Sequence, residues 1–140
     1  MNPARAAAFA ATLAALNVAH ELGDFWVQRD EDAQVKGKPG ADGAAACARH
    51  VASYTVTTTA AVLLANHLFR LGLHPTSIVA GQALSAATHY YMDRQQDSLA
   101  LIDVAGKRPF WDRGGRIHLD QAFHRVALTV AAAITVIGSR

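Results

Sequence analysis

Apolar residues recur along the chain at three- and four-residue intervals, and no stretch alternates apolar with polar positions over strand-like length. Alanine carries much of the pattern, and it has the highest intrinsic helix propensity. The periodicity predicts four long helices, at about 4–28, about 44–71, about 76–95 and about 118–138. The expected fold is all-α, an up-down four-helix bundle. Two segments break the pattern. Arg29 to Gly43 contains Lys36-Gly37-Lys38-Pro39-Gly40, and Gln96 to Ile117 contains Pro109 and Gly114-Gly115, so both read as longer loops. A short helix from Asp97 to Ala105 is expected inside the second. Leu71 to Pro75 is a short turn, which makes helices two and three antiparallel neighbours and brings both long loops to one end of the bundle.

Composition bounds what such a bundle does. A chain of 140 residues supports a single domain, 1–140. The net charge of +2 is small and the basic residues are spread, which argues against coating nucleic acid and leaves small anionic substrates open. Cys47 is the only cysteine, so there is no disulfide framework, and a reducing cytoplasm is the expected location. Arg5 ahead of an Ala-rich stretch to Ala19 imitates a secretory leader. Asn17 would stand three before a cut after Ala19, where a small residue is wanted, so a first core helix is the expected reading. The hydrophobic fraction of 51% allows membrane association. Threonines, Ser53, Asn66 and His67 in the second helix and Asn17 in the first weaken that reading, and a soluble chain is expected. If the chain does meet a membrane, the Lys and Arg of the two loops, set against Arg5, Arg70 and Arg140, place the loop end on the cytoplasmic side.

That loop end is also where the chemistry gathers. His20 and Asp24, His89 and Asp93, and Asp120 and His124 are each spaced four apart, so each pair shares a helix face. One such pair is commonly a surface hydrogen bond. The parity of the set argues for more: His20/Asp24 fall late in helix one, His50 early in helix two, His89/Asp93 late in helix three and Asp120/His124 early in helix four. In an up-down bundle these four places coincide. Imidazole and carboxylate donors without paired cysteines suit one or two divalent ions, zinc, manganese or iron. The expected ligands are His20, Asp24, His50, His89, Asp93, Asp120 and His124, with Asp24 or Asp93 bridging or acting as base. Gln28, Gln121, Arg49 and Arg94 are expected as supporting or substrate contacts, and the basic loops as a rim for a phosphate or carboxylate. His67 and His74 belong to the opposite end, and His118 faces away from Asp120. Trp26, Tyr54, Tyr90, Tyr91 and Trp111 are expected as core or lid packing.

The pattern His20-x2-Gly23-Asp24-Phe25-x2-Gln28, Arg49-His50, Thr88-His89-x3-Asp93 and Asp120-Gln121-x2-His124 resembles a family of small actinobacterial and phage proteins known only as a domain of unknown function. The likeness covers essentially the whole chain. It implies a shared site but no particular reaction, and some of those proteins look like multi-span membrane proteins. By motif style alone the chain is similar to helical zinc-dependent phosphodiesterases. It departs from them in its shortness, in lacking their repeated His-x3-His/Glu elements and in lacking disulfides. The adjacent His-Asp dipeptide of HD-type phosphohydrolases is also absent. The expected function is a metal-dependent hydrolase acting on a phosphorylated or anionic small molecule. The alternatives are a di-iron or di-manganese redox enzyme and a metal-stapled structural or membrane-associated protein.

Overall fold

The computed structural model describes residues 2–139, apart from the side chains of residues 95–97; Arg140, one of the basic residues set against the two loops, lies outside them. Helix α1 spans Pro3–Leu22. Asn2 caps it by accepting the Ala4 N–H at 2.9 Å, and Pro3 sits in the first turn, where its missing N–H costs nothing. The helix runs on into a widened π turn, Gly23–Val27. Helix α2, Asp30–Val35, opens on Asp30, Glu31 and Asp32, which suit the positive end of its dipole. Helix α3 covers Gly40–Phe69 and ends at Arg70, whose φ of 50° turns the chain left-handed. Asn66 secures that turn, its Oδ1 accepting the Leu73 N–H at 3.0 Å. Helices α4 (Pro75–Asp93), α5 (Gln95–Val104) and α6 (Arg108–Phe110) come next, then a kink, Trp111–Gly115, in which Gly114 takes a φ of 93°, and α7 (Arg116–Thr135).

The fold is all-α, with no strand among the described residues. The four long helices contact one another in a ring, α1 against α3 and α7, and α4 against α3 and α7. The first loop is more ordered than its composition suggests. It holds α2, packed on α3, and α3 begins at Gly40, directly after Pro39. An apolar core of Leu16, Val62, Ile78 and Leu128 fills one part of the ring. A polar layer lies beside it, where Thr58 Oγ1 donates to Gln82 Oε1 at 2.8 Å. No helix among the described residues is long and apolar enough to cross a membrane.

Helices α4 and α7 approach closely at Gly81. A Cβ there would collide with the Thr135 hydroxyl and lie 2.8 Å from the Ala131 carbonyl oxygen. Gly81→Val is therefore expected to destabilise the fold by about 2–3 kcal/mol, because overpacking against backbone has little room to relax. Urea denaturation checks this; an unchanged midpoint would contradict so tight a seam.

Candidate metal centre

Each long helix delivers one histidine to the same place. His20 comes from α1, His50 from α3, His89 from α4 and His124 from α7, and none is more than 2% exposed. Their Nε2 atoms converge with three carboxylates. Nε2 of His50 and Nε2 of His89 are 2.9 Å apart. Asp24 Oδ1 lies 3.4 Å from the first and 3.3 Å from the second, while Asp93 Oδ2 lies 3.2 Å from each. His20 Nε2 is 3.4 Å from Asp24 Oδ2, and His124 Nε2 is 3.5 Å from Asp120 Oδ1 and 3.9 Å from Asp93 Oδ1. All seven expected ligands are thus together. Their donor atoms form three overlapping groups: His20, Asp24, His89 and His124; His50, His89 and Asp93; and Asp93, Asp120 and His124.

Local structure explains how they reach one another. A Cβ at Gly23 would stand 3.1 Å from Cδ2 of Tyr54, so glycine lets the end of α1 close onto α3 just before Asp24. The Tyr54 ring stacks on His89, with centroids 3.9 Å apart and planes at 24°, and its hydroxyl shares a 2.8 Å hydrogen bond with Ser85. His89 is thereby held from behind.

Burial and charge pull the site in opposite directions. Burial lowers His20 to about 4, despite Asp24 nearby, so it is a neutral ligand at physiological pH. Burial alone would raise Asp24, but the His50 and His89 imidazoles facing it hold it well below the usual carboxylate range. Asp93 is likewise depressed against its burial, by His50, His89 and the Lys36 ammonium. Three donor atoms in the cluster, His20 Nε2, His124 Nε2 and Asp24 Oδ1, are buried without a hydrogen bond. Unsatisfied buried polar atoms are costly, and here they are of the types that ligate a divalent cation. The residues therefore fit a metal. One feature departs from the usual pattern of metal-bound histidines. Nδ1 of His50 and Nδ1 of His89 also lack a partner, whereas such nitrogens commonly donate to a carboxylate or carbonyl.

A cavity of about 390 Å³ opens over the cluster, lined by Asp24, Asp93 and Asp120 on the floor side and by Gln28, Lys36, Gln121 and Arg116 among others. Gln28 and Gln121 thus stand where the sequence places them. Arg49 and Arg94 do not line the cavity. Arg49 donates to Asp32 Oδ1 at 2.6 Å, and the buried Arg94 donates to the carbonyls of Lys36 and Lys38 at 2.8 and 2.7 Å. Buried carboxylate and backbone acceptors lie within reach and take up these guanidinium donors, an arrangement that supports the loop around the site. Arg94 does so through Gly43, where a Cβ would collide with the Lys38 carbonyl and crowd the guanidinium. The loop thus clamped presents Lys36, whose Nζ lies 2.8 Å from Asp93 Oδ2. Sequence reasoning counted Lys36 only as part of a basic rim, and nothing local marks it out. His118 is exposed, as expected for a residue facing away.

His89 sets a pH dependence. Burial would lower it, but the Asp24 and Asp93 carboxylates beside it raise it to about 9, so the metal-free site holds a proton there at neutral pH. A cation at Nε2 must displace that proton. Metal affinity is expected to rise about tenfold per pH unit from neutrality toward about 9 and then level off. The metal-free fold has the opposite slope. A folded value of about 9 against an ordinary 6.5 stabilises fully below 6.5, and that stability is lost as pH rises through about 9. Calorimetric titration across this range checks the first, and melting without metal the second; a flat affinity profile would count against proton displacement.

Comparisons with known protein families, with curated proteins and with solved structures each returned no match.

Proposed function

We propose that the chain is a metal-dependent hydrolase with a site for one or two divalent ions, acting on a phosphorylated or otherwise anionic small molecule in the cytoplasm. In this proposal the four long helices form an up-down bundle, with the ligands at one end. The observation that carries it is the convergence of four buried imidazoles and three carboxylates, with unsatisfied donor atoms, beneath a cavity that also offers a lysine. Zinc, manganese or iron bound there supplies a Lewis acid and a nucleophilic water at neutral pH.

The chain's own residues divide the remaining work. Lys36 and Arg116 offer cationic groups to an anionic substrate along the cavity wall, and Gln28 and Gln121 offer amides beside them. Asp24 and Asp93, held far below the usual carboxylate range, are weak bases and suit ligand roles better than proton abstraction. Asp120, half-buried at the cavity wall beside His124, is better placed to accept a proton from an attacking water.

The near-complete burial of the four histidines favours a second reading, a metal staple without chemistry. A redox site draws less support, because di-iron and di-manganese centres rely on glutamates. Glu21 and Glu31 are the only two here and neither belongs to the cluster. Hydrolysis of p-nitrophenyl phosphate and bis(p-nitrophenyl) phosphate by the metal-loaded protein separates the readings. Turnover that disappears on chelation and returns with metal is expected. Stoichiometric metal with no turnover on any phosphate ester would leave the staple.

A further inference from the structure

Inside the bundle, buried polar side chains sit beside the apolar core, while the outside of the long helices is largely apolar. Thr12, Thr58, Gln82, Ser85 and Thr135 are buried. Every long helix turns large apolar side chains outward, including Val18 on α1, Val56 and Leu64 on α3, Val79 on α4 and Val126 and Val130 on α7. No Asp, Glu, Lys or Arg occurs in residues 6–20, 50–69, 71–92 or 126–139. At 1.5 Å per residue the uncharged helical stretches of α1, α3 and α4 are roughly 22–30 Å long, close to the ~30 Å hydrocarbon core of a bilayer. Taken singly, no helix among the described residues is apolar enough to cross a membrane. The residues that lower each helix's average hydropathy include those that the assembled ring turns inward.

Several hydroxyls and one amide nearer the outer surface bond back to their own helix. Thr55 donates to the Val51 carbonyl at 2.7 Å, Thr57 to Ser53 at 2.9 Å, Thr88 to Leu84 at 2.9 Å, Thr129 to Arg125 at 2.8 Å and Asn17 to Leu13 at 2.8 Å. That arrangement satisfies polar groups where solvent offers no partner. Beyond the belt, the metal-site end carries exposed Phe25, Trp26 and Phe110 among Arg29, Arg113 and Arg116, an aromatic and cationic rim of the kind found at lipid headgroups.

We infer that this belt is covered by lipid: the bundle sits as a unit in a bilayer, with its metal-site end at the anionic headgroup level. A second copy of the chain would cover one face, whereas the apolar surface runs over all four long helices. Lipid coverage of the belt does not depend on a metal being bound.

The test is fractionation of cells making the full chain, with membranes washed first in high salt and then in alkaline carbonate. Material extracted in detergent is then floated with vesicles of phosphatidylcholine and phosphatidylglycerol. Retention through both washes and flotation with the vesicles are expected. Release by salt alone would reduce the contact to rim charges and overturn the inference, as would recovery from the soluble fraction as a monomer or a self-covered oligomer. Val79→Glu and Val130→Glu are each expected to lower carbonate-resistant protein by about tenfold or more, since a charge within the belt opposes insertion. Val104→Glu, at an 89% exposed position on α5 outside the belt, should leave it unchanged. In water a glutamate at any of these exposed sites costs little, so equal behaviour of all three variants would also overturn the inference.

Discussion

Alanine at His89 is expected to abolish metal loading, because this side chain belongs to two of the three donor groups and lies between Asp24 and Asp93. Removing a ligand shared by two groups disables both. The wild-type chain is expected to hold one or two equivalents of zinc, manganese or iron and to melt higher with metal present. At a free metal concentration about a thousand times the dissociation constant, binding to the folded state alone adds about 4 kcal/mol, or roughly 10 °C in a chain of this size. His89→Ala should show no such rise. The variant also loses its stacking on Tyr54, so its metal-free melting point falls too, which is why the metal-dependent increment is the quantity to compare. His67→Ala, on an exposed residue near the far end of α3, should keep both the metal and the increment. Elemental analysis and paired melts decide it, and equal metal content in wild type and His89→Ala would sink the proposed centre.

Asp93→Asn should lower hydrolysis of phosphate esters by about a thousandfold or more while keeping the side chain's volume, because it removes a charge that organises the whole floor of the site. The carboxylate faces His50, His89, Lys36 and, more distantly, His124. An amide in its place turns a donor toward groups that are themselves donors. Metal-free stability should fall by about 3 kcal/mol, the order expected when a buried cation loses its partner. Asp32→Asn is the matched control. Asp32 is also buried and also bound to a cation, Arg49, but it takes no part in the cluster. The control should lose stability and retain turnover per folded molecule. Undiminished activity in Asp93→Asn would remove this residue from the machinery.

Much of this site was legible because helical spacing is rigid. Once His20, His50, His89 and His124 are placed by turn counting near the ends of long helices that pack in a ring, the fold brings them together, and the four-residue spacing carries Asp24, Asp93 and Asp120 with them. The features that escaped were set by long-range contact. Lys36 lies in a glycine-rich loop that reads as solvated charge, and only the folding of that loop onto Arg94 brings its ammonium to Asp93. Arg49 and Arg94 adjoin His50 and Asp93 in sequence, which suggested the site. Neighbouring positions on a helix are about 100° apart, however, and other acceptors claimed them. Tyr54 read as packing, and it is packing, but its stacking surface is His89.

The π turn at Gly23–Val27 makes the site depend on the length of the chain as well as on its composition. Its closing bond runs from the Gln28 N–H to the Gly23 carbonyl, five residues back, at 3.0 Å. Such a turn accommodates one residue more than an ordinary helical turn. Deleting Phe25, Trp26 or Val27 would restore regular winding and rotate the downstream chain by about 100°, taking Gln28 away from the Lys36 ammonium 3.4 Å from its side chain without removing any proposed ligand. Lengthening or shortening this stretch is therefore a more damaging change than most substitutions at Phe25, Trp26 or Val27, and natural variants of the chain should show these three identities drifting while Gly23, Asp24 and the residue count stay fixed.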